Sequence, residues 1–225
     1  ALRLEPDARE LSASAGGDRR SGGSTLALLG RIKNSCFATF AYGYFQATVV
    51  LFLPLFLIES KNISRQQTIV IPAFFAAGML LFSSLAGRAG DRLGHLAVMR
   101  VLAVVGTSMI LGFVFLDAYP LMCVAVFTAG ASLATISRVS LALQGVQCEP
   151  SDYSRATGIY NTFYAMGILL GPPVAGQIFA RQGGETMLYH LAALWTTFII
   201  FSVLYARDDP KARHVPAPDP PAAGV

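Results

Sequence analysis

Charge is scarce in this chain. Only 13% of its 225 residues are Asp, Glu, Lys or Arg, while 54% are hydrophobic; a soluble domain carries about a quarter charged residues. Acid is scarcest where it matters most, since the long apolar runs contain no Asp or Glu. The three cysteines, Cys36, Cys123 and Cys148, have no paired spacing, so they read as small hydrophobes rather than as a disulfide or metal site. No His, Asp, Glu or Cys cluster has catalytic or ligand spacing, so neither an enzyme nor a cofactor is expected. No basic-then-apolar secretory leader follows Ala1. The formal charge of +4 does not point to nucleic acid, because its placement relative to lipid accounts for it.

What the sequence has instead is six uncharged runs: Asn34–Ile58, Gln66–Gly87, Val101–Leu116, Ala118–Ser137, Ala156–Ala180 and Thr186–Ala206. A helix rises ~1.5 Å per residue, so ~20 residues cross the ~30 Å hydrocarbon core. The third run is short, and reaches that length if Arg100 snorkels to the interface and Leu96 to Met99 join the helix. The fourth continues past Arg138 to about Gln147, because Val139 to Val146 is again uncharged. Lipid admits helices or closed barrels, and these runs lack the alternation of barrel strands. The fold class expected is an all-α integral membrane protein with six transmembrane helices.

With both ends in the cytoplasm, 13 of the 17 basic residues fall inside and three outside, with Arg138 within a span. That bias sets the expected orientation, and the expected location is the plasma membrane, a bacterial inner membrane. Residues 1–28, polar and rich in Gly, Ser and Arg, read as a flexible cytoplasmic linker. Residues 29–207 form the transmembrane domain, and the proline-rich 208–225 a disordered cytoplasmic tail.

Two patterned segments stand out. Between the second and third runs lies Gly87-Arg-Ala-Gly-Asp91-Arg92-Leu-Gly94-His95, whose glycines allow a tight turn between helices. On the fifth run, Gly158, Gly167, Gly171, Pro172, Ala175 and Gly176 punctuate an apolar helix. Small residues let helices approach closely, and Pro172-Pro173 removes backbone donors. The pair of segments resembles the cytoplasmic loop signature and the glycine-proline helix motif of the major facilitator superfamily of secondary transporters. His95 and Leu96 stand where the loop signature has basic residues, and Ala175 stands where the helix motif has a second glycine.

The resemblance covers about residues 30–207. It implies a half bundle of two three-helix repeats, in a transporter that carries a small solute by alternating access without chemistry on it. The partners implied are that solute, the lipid bilayer and another six-helix half, in the same chain or a second copy. It also implies that Gly87, Asp91, Arg92 and Gly94 form a conformational motif, with Asp91 held near a helix N-terminus of the other half. The polar start, the degraded loop signature and the proline-rich end favour the C-terminal half. A non-transporting six-helix interaction or regulatory protein is the alternative.

Thr128, Ser132, Thr135 and Arg138 recur at helical spacing and read as one polar stripe. In the resemblance the first and fourth helices line the central cavity, so that stripe, together with Tyr42 and Gln46, supplies the cavity candidates, with Asn161 from the fifth. A charge within a span costs about 2.5–3.5 kcal/mol on insertion scales. Arg138 therefore either faces a cavity or snorkels to the cytoplasmic end. Tyr42, Phe45, Tyr164 and Trp195 are candidate aromatic lining, and His190 reads as interfacial. If transport is proton-driven, the coupling carboxylate belongs to another half.

Overall fold

The computed structural model describes residues 25–206. The expected flexible linker and disordered tail therefore lie outside the described residues, except that helix starts at Thr25, inside the segment read as linker. Six helices are long and apolar enough to cross a membrane: α1 Thr25–Lys61, α2 Arg65–Leu93, α3 His95–Val114, α4 Tyr119–Gln147, α5 Tyr153–Gln182 and α6 Gly184–Leu204. Among the described residues there is no strand.

The connections are short because each turn has a residue suited to it. Asn62 ends α1 in the left-handed region (φ 53°), and Ile63 N–H reaches back to Leu57 C=O at 3.0 Å. That bond, back across six residues, satisfies one of the carbonyls left open at the helix end. Ser64 then opens α2, its hydroxyl accepting from Gln67 N–H at 3.4 Å and donating to Gln67 Oε1 at 3.0 Å, a variant of the capping box. Gly94 and Gly183 make the α2–α3 and α5–α6 turns at φ 99° and 87°. A 3₁₀ turn, Pro150–Asp152, joins α4 to α5.

Packing has a repeated pattern. α1 lies along α5, and α2 lies along α4, the same relation between corresponding members of two three-helix repeats, while α3 packs on α6. Aromatic edge contacts fill the core between α1 and α6: Phe45 with Trp195 at 6.3 Å, and Phe37 with Phe198 at 5.8 Å. Ionic stitches sit at the helix ends. Lys61 donates to Val114 C=O at 2.8 Å and pairs with Asp117 at 2.9 Å, tying α1 to the carbonyl end of α3. Arg100 donates to Ser202 C=O and to Ser202 Oγ, so a cation meets the last turn of α6, where the helix dipole favours it. Leu96 to Met99 do join α3, as its short run required, and the helix starts one residue earlier, at His95.

Burial is uneven. In the apolar span of α4, 61% is buried, against 17% in α2 and in α5. Large side chains such as Leu81, Ile69 and Leu169 stand exposed on those two helices. Both are apolar outside as well as inside, as lipid or a further transmembrane partner requires.

Candidate functional site

α4 is not one continuous α-helix. Gly130–Ala134 forms a single π turn, which inserts a residue and rotates the rest of the helix by about 100°. The four polar residues of α4 therefore do not share one open face. Ser132 is buried and donates to Thr128 C=O at 2.7 Å, with its hydroxyl beside Gly106 of α3. Thr135 is buried, and the half-buried Thr128 turns its hydroxyl back to Val124 C=O at 2.9 Å. Arg138 alone emerges exposed.

Residues of α1 and α5 gather in the neighbourhood of Arg138. Tyr42 and Tyr164 stack with ring centroids 6.1 Å apart and planes at 15°. Tyr164 donates to Gln46 Oε1 at 2.8 Å, so Tyr42, Gln46 and Tyr164 form one cluster. Arg138 and Tyr160 lie within electrostatic reach of the Tyr42 phenol. Tyr160 donates to Ser137 C=O at 2.8 Å and meets Ser140 Oγ at 3.0 Å, pinning α5 to α4 beside Arg138. Asn161 stands exposed one turn before Tyr164. This cluster presents aromatic surface, amide and phenol hydrogen-bonding groups and one cation, a set suited to an organic solute with a polar or anionic part.

Two of the aromatic lining candidates fall elsewhere. Phe45 and Trp195 are buried against each other in the core, because α1 turns that face toward α6. His190, read as interfacial, is half-buried and has its Nε2 2.7 Å from the Tyr44 hydroxyl of α1. Tyr160 had no sequence signal, since its role depends on the α4–α5 contact. Tyr44 had none, because only the fold brings His190 to it.

The α1–α5 contact that builds the cluster depends on small residues. A side chain at Gly167 would meet Phe40 C=O and, at 2.8 Å, Tyr44 N; one at Gly171 would meet Tyr44 C=O at 2.6 Å. Ala175 is buried one turn on. Gly176 rests near the Phe52 ring, while a side chain at Gly158 would meet nothing within 4 Å. Pro172 and Pro173 lie inside α5 and leave the carbonyls of Ile168 and Leu169 without their usual helical donors.

At the α2–α3 turn, Asp91 reaches His95 Nε2 at 3.4 Å, and the His95 ring packs over Gly90. The histidine at the departing position of the loop pattern is thus the residue nearest the carboxylate. Gly94 adopts φ 99°, ψ 133°, a region open to glycine alone. Gly94→Ala is expected to lower stability by about 1–3 kcal/mol, read as an earlier melt in detergent, whereas Gly87→Ala, with nothing within 4 Å of an added Cβ, is expected to melt as wild type does.

Residues 35–223 match the family model described as Major Facilitator Superfamily. Among curated proteins, the chain is similar to the agnestins efflux protein AgnL12 of Paecilomyces divaricatus, at 30% identity over 161 residues. That match takes in 68% of this chain and 36% of the relative, so the chain spans about a third of the relative's length. With six membrane-spanning helices, two three-helix repeats and a family match over most of its length, this chain belongs to the major facilitator superfamily.

Proposed function

We propose that this chain is the C-terminal half of a secondary transporter that moves a small organic solute by alternating access. The observation that carries the reading is the cluster of Tyr42, Gln46, Tyr164 and Arg138, which runs from the buried Tyr42 through the half-buried Gln46 and Tyr164 to the exposed Arg138 at the edge of the bundle. A second six-helix half laid against α2 and α5 would turn that edge into a cavity near the bilayer midplane, where such transporters bind. Rocking of the halves then exposes the cluster to each side in turn. The efflux named for the relative supports export. Both ends of the domain lie in the cytoplasm of a cell bounded by the plasma membrane in which the protein sits, in keeping with the distribution of basic residues.

Asp91 has a specific part in this scheme. In one state its carboxylate docks at a helix N-terminus of the other half, where the dipole favours an anion; in the other it returns to His95. Asp91→Asn is expected to lower the maximal transport rate roughly tenfold with membrane insertion unchanged, measured as solute flux in vesicles. Unchanged flux would reduce Asp91 to a solvated turn residue. An immunoblot of the native protein tests the half reading separately. A band near twice the 24.0 kDa of this chain is expected, and a band at 24.0 kDa would leave dimerisation as the route to an enclosed path.

A further inference from the structure

The ends of α2 and α3 at the Gly94 turn enclose a groove of about 390 Å³. Its walls are apolar: Phe82, Leu85 and Leu93 from α2, Val101 and Leu102 from α3, with Ala131 of α4 as part of the lining. Several of these side chains are exposed, Leu93 at 73% and Val101 at 63%. The groove runs along α2 from Phe82 to Leu93, about 16 Å at 1.5 Å per residue, close to the depth of one leaflet of a ~30 Å hydrocarbon core.

Its end at the Gly94 turn is basic. Leu85, Ala89 and Leu93 continue into a mouth of about 500 Å³ that is also lined by Arg88 and Arg92. These arginines are one helical turn apart on the same face, so their charges repel. Neither has a hydrogen bond or ion pair among the described residues. The one carboxylate of the turn, Asp91, is directed to His95 instead. An anion seated between the two guanidinium groups removes the repulsion and gives each a charge-assisted hydrogen bond. A leaflet-deep apolar groove below a pair of unpartnered arginines is complementary to one kind of molecule that surrounds every membrane protein.

We propose that this groove is a binding site for an anionic phospholipid, with an acyl chain between α2 and α3 and the phosphate held by Arg88 and Arg92. Basic pockets between transmembrane helices recognise anionic headgroups in this way. The site is separate from the Tyr42–Arg138 cluster; it uses the side of α2 that faces α3, and requires that the other half, laid against α2 and α5, leaves that side to lipid.

The test is native mass spectrometry of the full chain, delipidated in detergent and offered equal amounts of phosphatidylglycerol and phosphatidylcholine with identical acyl chains. Phosphatidylglycerol is expected to be retained in preference, and Arg88→Gln combined with Arg92→Gln is expected to weaken its binding about thirtyfold, from the two charges removed. Ala97→Trp keeps both arginines but fills the groove at an exposed position; it is expected to displace the lipid with the melt unchanged. Should the double variant fail to fold, the Ala97→Trp result decides. Equal retention of the two lipids by the wild type, or phosphatidylglycerol binding undiminished in Ala97→Trp, would overturn the assignment.

Discussion

Gly130→Leu is expected to prevent the bundle from assembling, with a loss of more than about 3 kcal/mol. The reason lies at the crossing of α2 and α4, where backbone rests on backbone. A Cβ at Gly130 would fall against Phe75 C=O, with the Phe75 carbonyl carbon at 2.8 Å and its Cα at 2.9 Å. Across the same contact, a Cβ at Gly78 would fall against Phe127 C=O and, at 2.8 Å, Ala131 N. Overpacking a core costs about 1–3 kcal/mol when side chains can yield, and more when they cannot. Here no flexible side chain is available to move. Helices must separate, and separation forfeits the close packing on which association in lipid depends. Gly112→Leu serves as the control, because a side chain there meets nothing within 4 Å. Thermal melts of the two variants in detergent compare them directly. A Gly130→Leu protein that melts with the wild type would mean that this crossing is looser than described.

Arg138→Gln is expected to abolish most transport, roughly a hundredfold, while leaving insertion and melting temperature no worse than wild type. The opposition of the two effects distinguishes a functional residue from a structural one. A charge in a span raises the cost of insertion by about 2.5–3.5 kcal/mol, so its removal does not destabilise a membrane protein that uses it only to bind. A binding role makes the reverse demand. Truncating a charged group that meets a polar or anionic ligand costs about 2–5 kcal/mol of affinity. Arg138→Lys, which keeps the charge but loses the planar fork, is expected to fall between the two. Solute flux and detergent melts measured on the same three proteins settle the matter. Wild-type flux in Arg138→Gln would reassign Arg138 to snorkelling.

The six helices are legible in the sequence because lipid leaves so few options. An uncharged run of the right length must be a helix, and the extension of α3 over Leu96 to Met99 and of α4 to Gln147 rests on the same reasoning. The interior of α4 is not legible. Gly130-Ala-Ser-Leu-Ala134 has no residue that marks a π turn, and an unbroken helical period puts Thr128, Ser132, Thr135 and Arg138 on one stripe. One inserted residue is enough to bury Ser132 and Thr135 and leave Arg138 outside. The cluster at Tyr42 shows a different limit. Tyr42 and Gln46 share a face by spacing alone, but their partner Tyr164 is 118 residues from Gln46. Only the pairing of α1 with α5 brings it there. Composition likewise could not show that Trp195 is a core residue, since a tryptophan suits a cavity wall and a packed interior equally.

The central claim is that the Tyr42–Gln46–Tyr164–Arg138 face opens to each side of the membrane in turn. Its most direct test is thiol labelling of Gln46→Cys and Asn161→Cys in the complete transporter, this chain with its other half. The native Cys36 and Cys123 are buried and Cys148 is half-buried, so Cys148→Ser removes the accessible thiol of this half, and accessible cysteines of the other half are replaced by serine as well. An impermeant thiol reagent is expected to reach both positions from either side, solute to slow the labelling, and Asp91→Asn to shift the balance between the two sides. Labelling from one side only, or none from either, would contradict alternating access at this face.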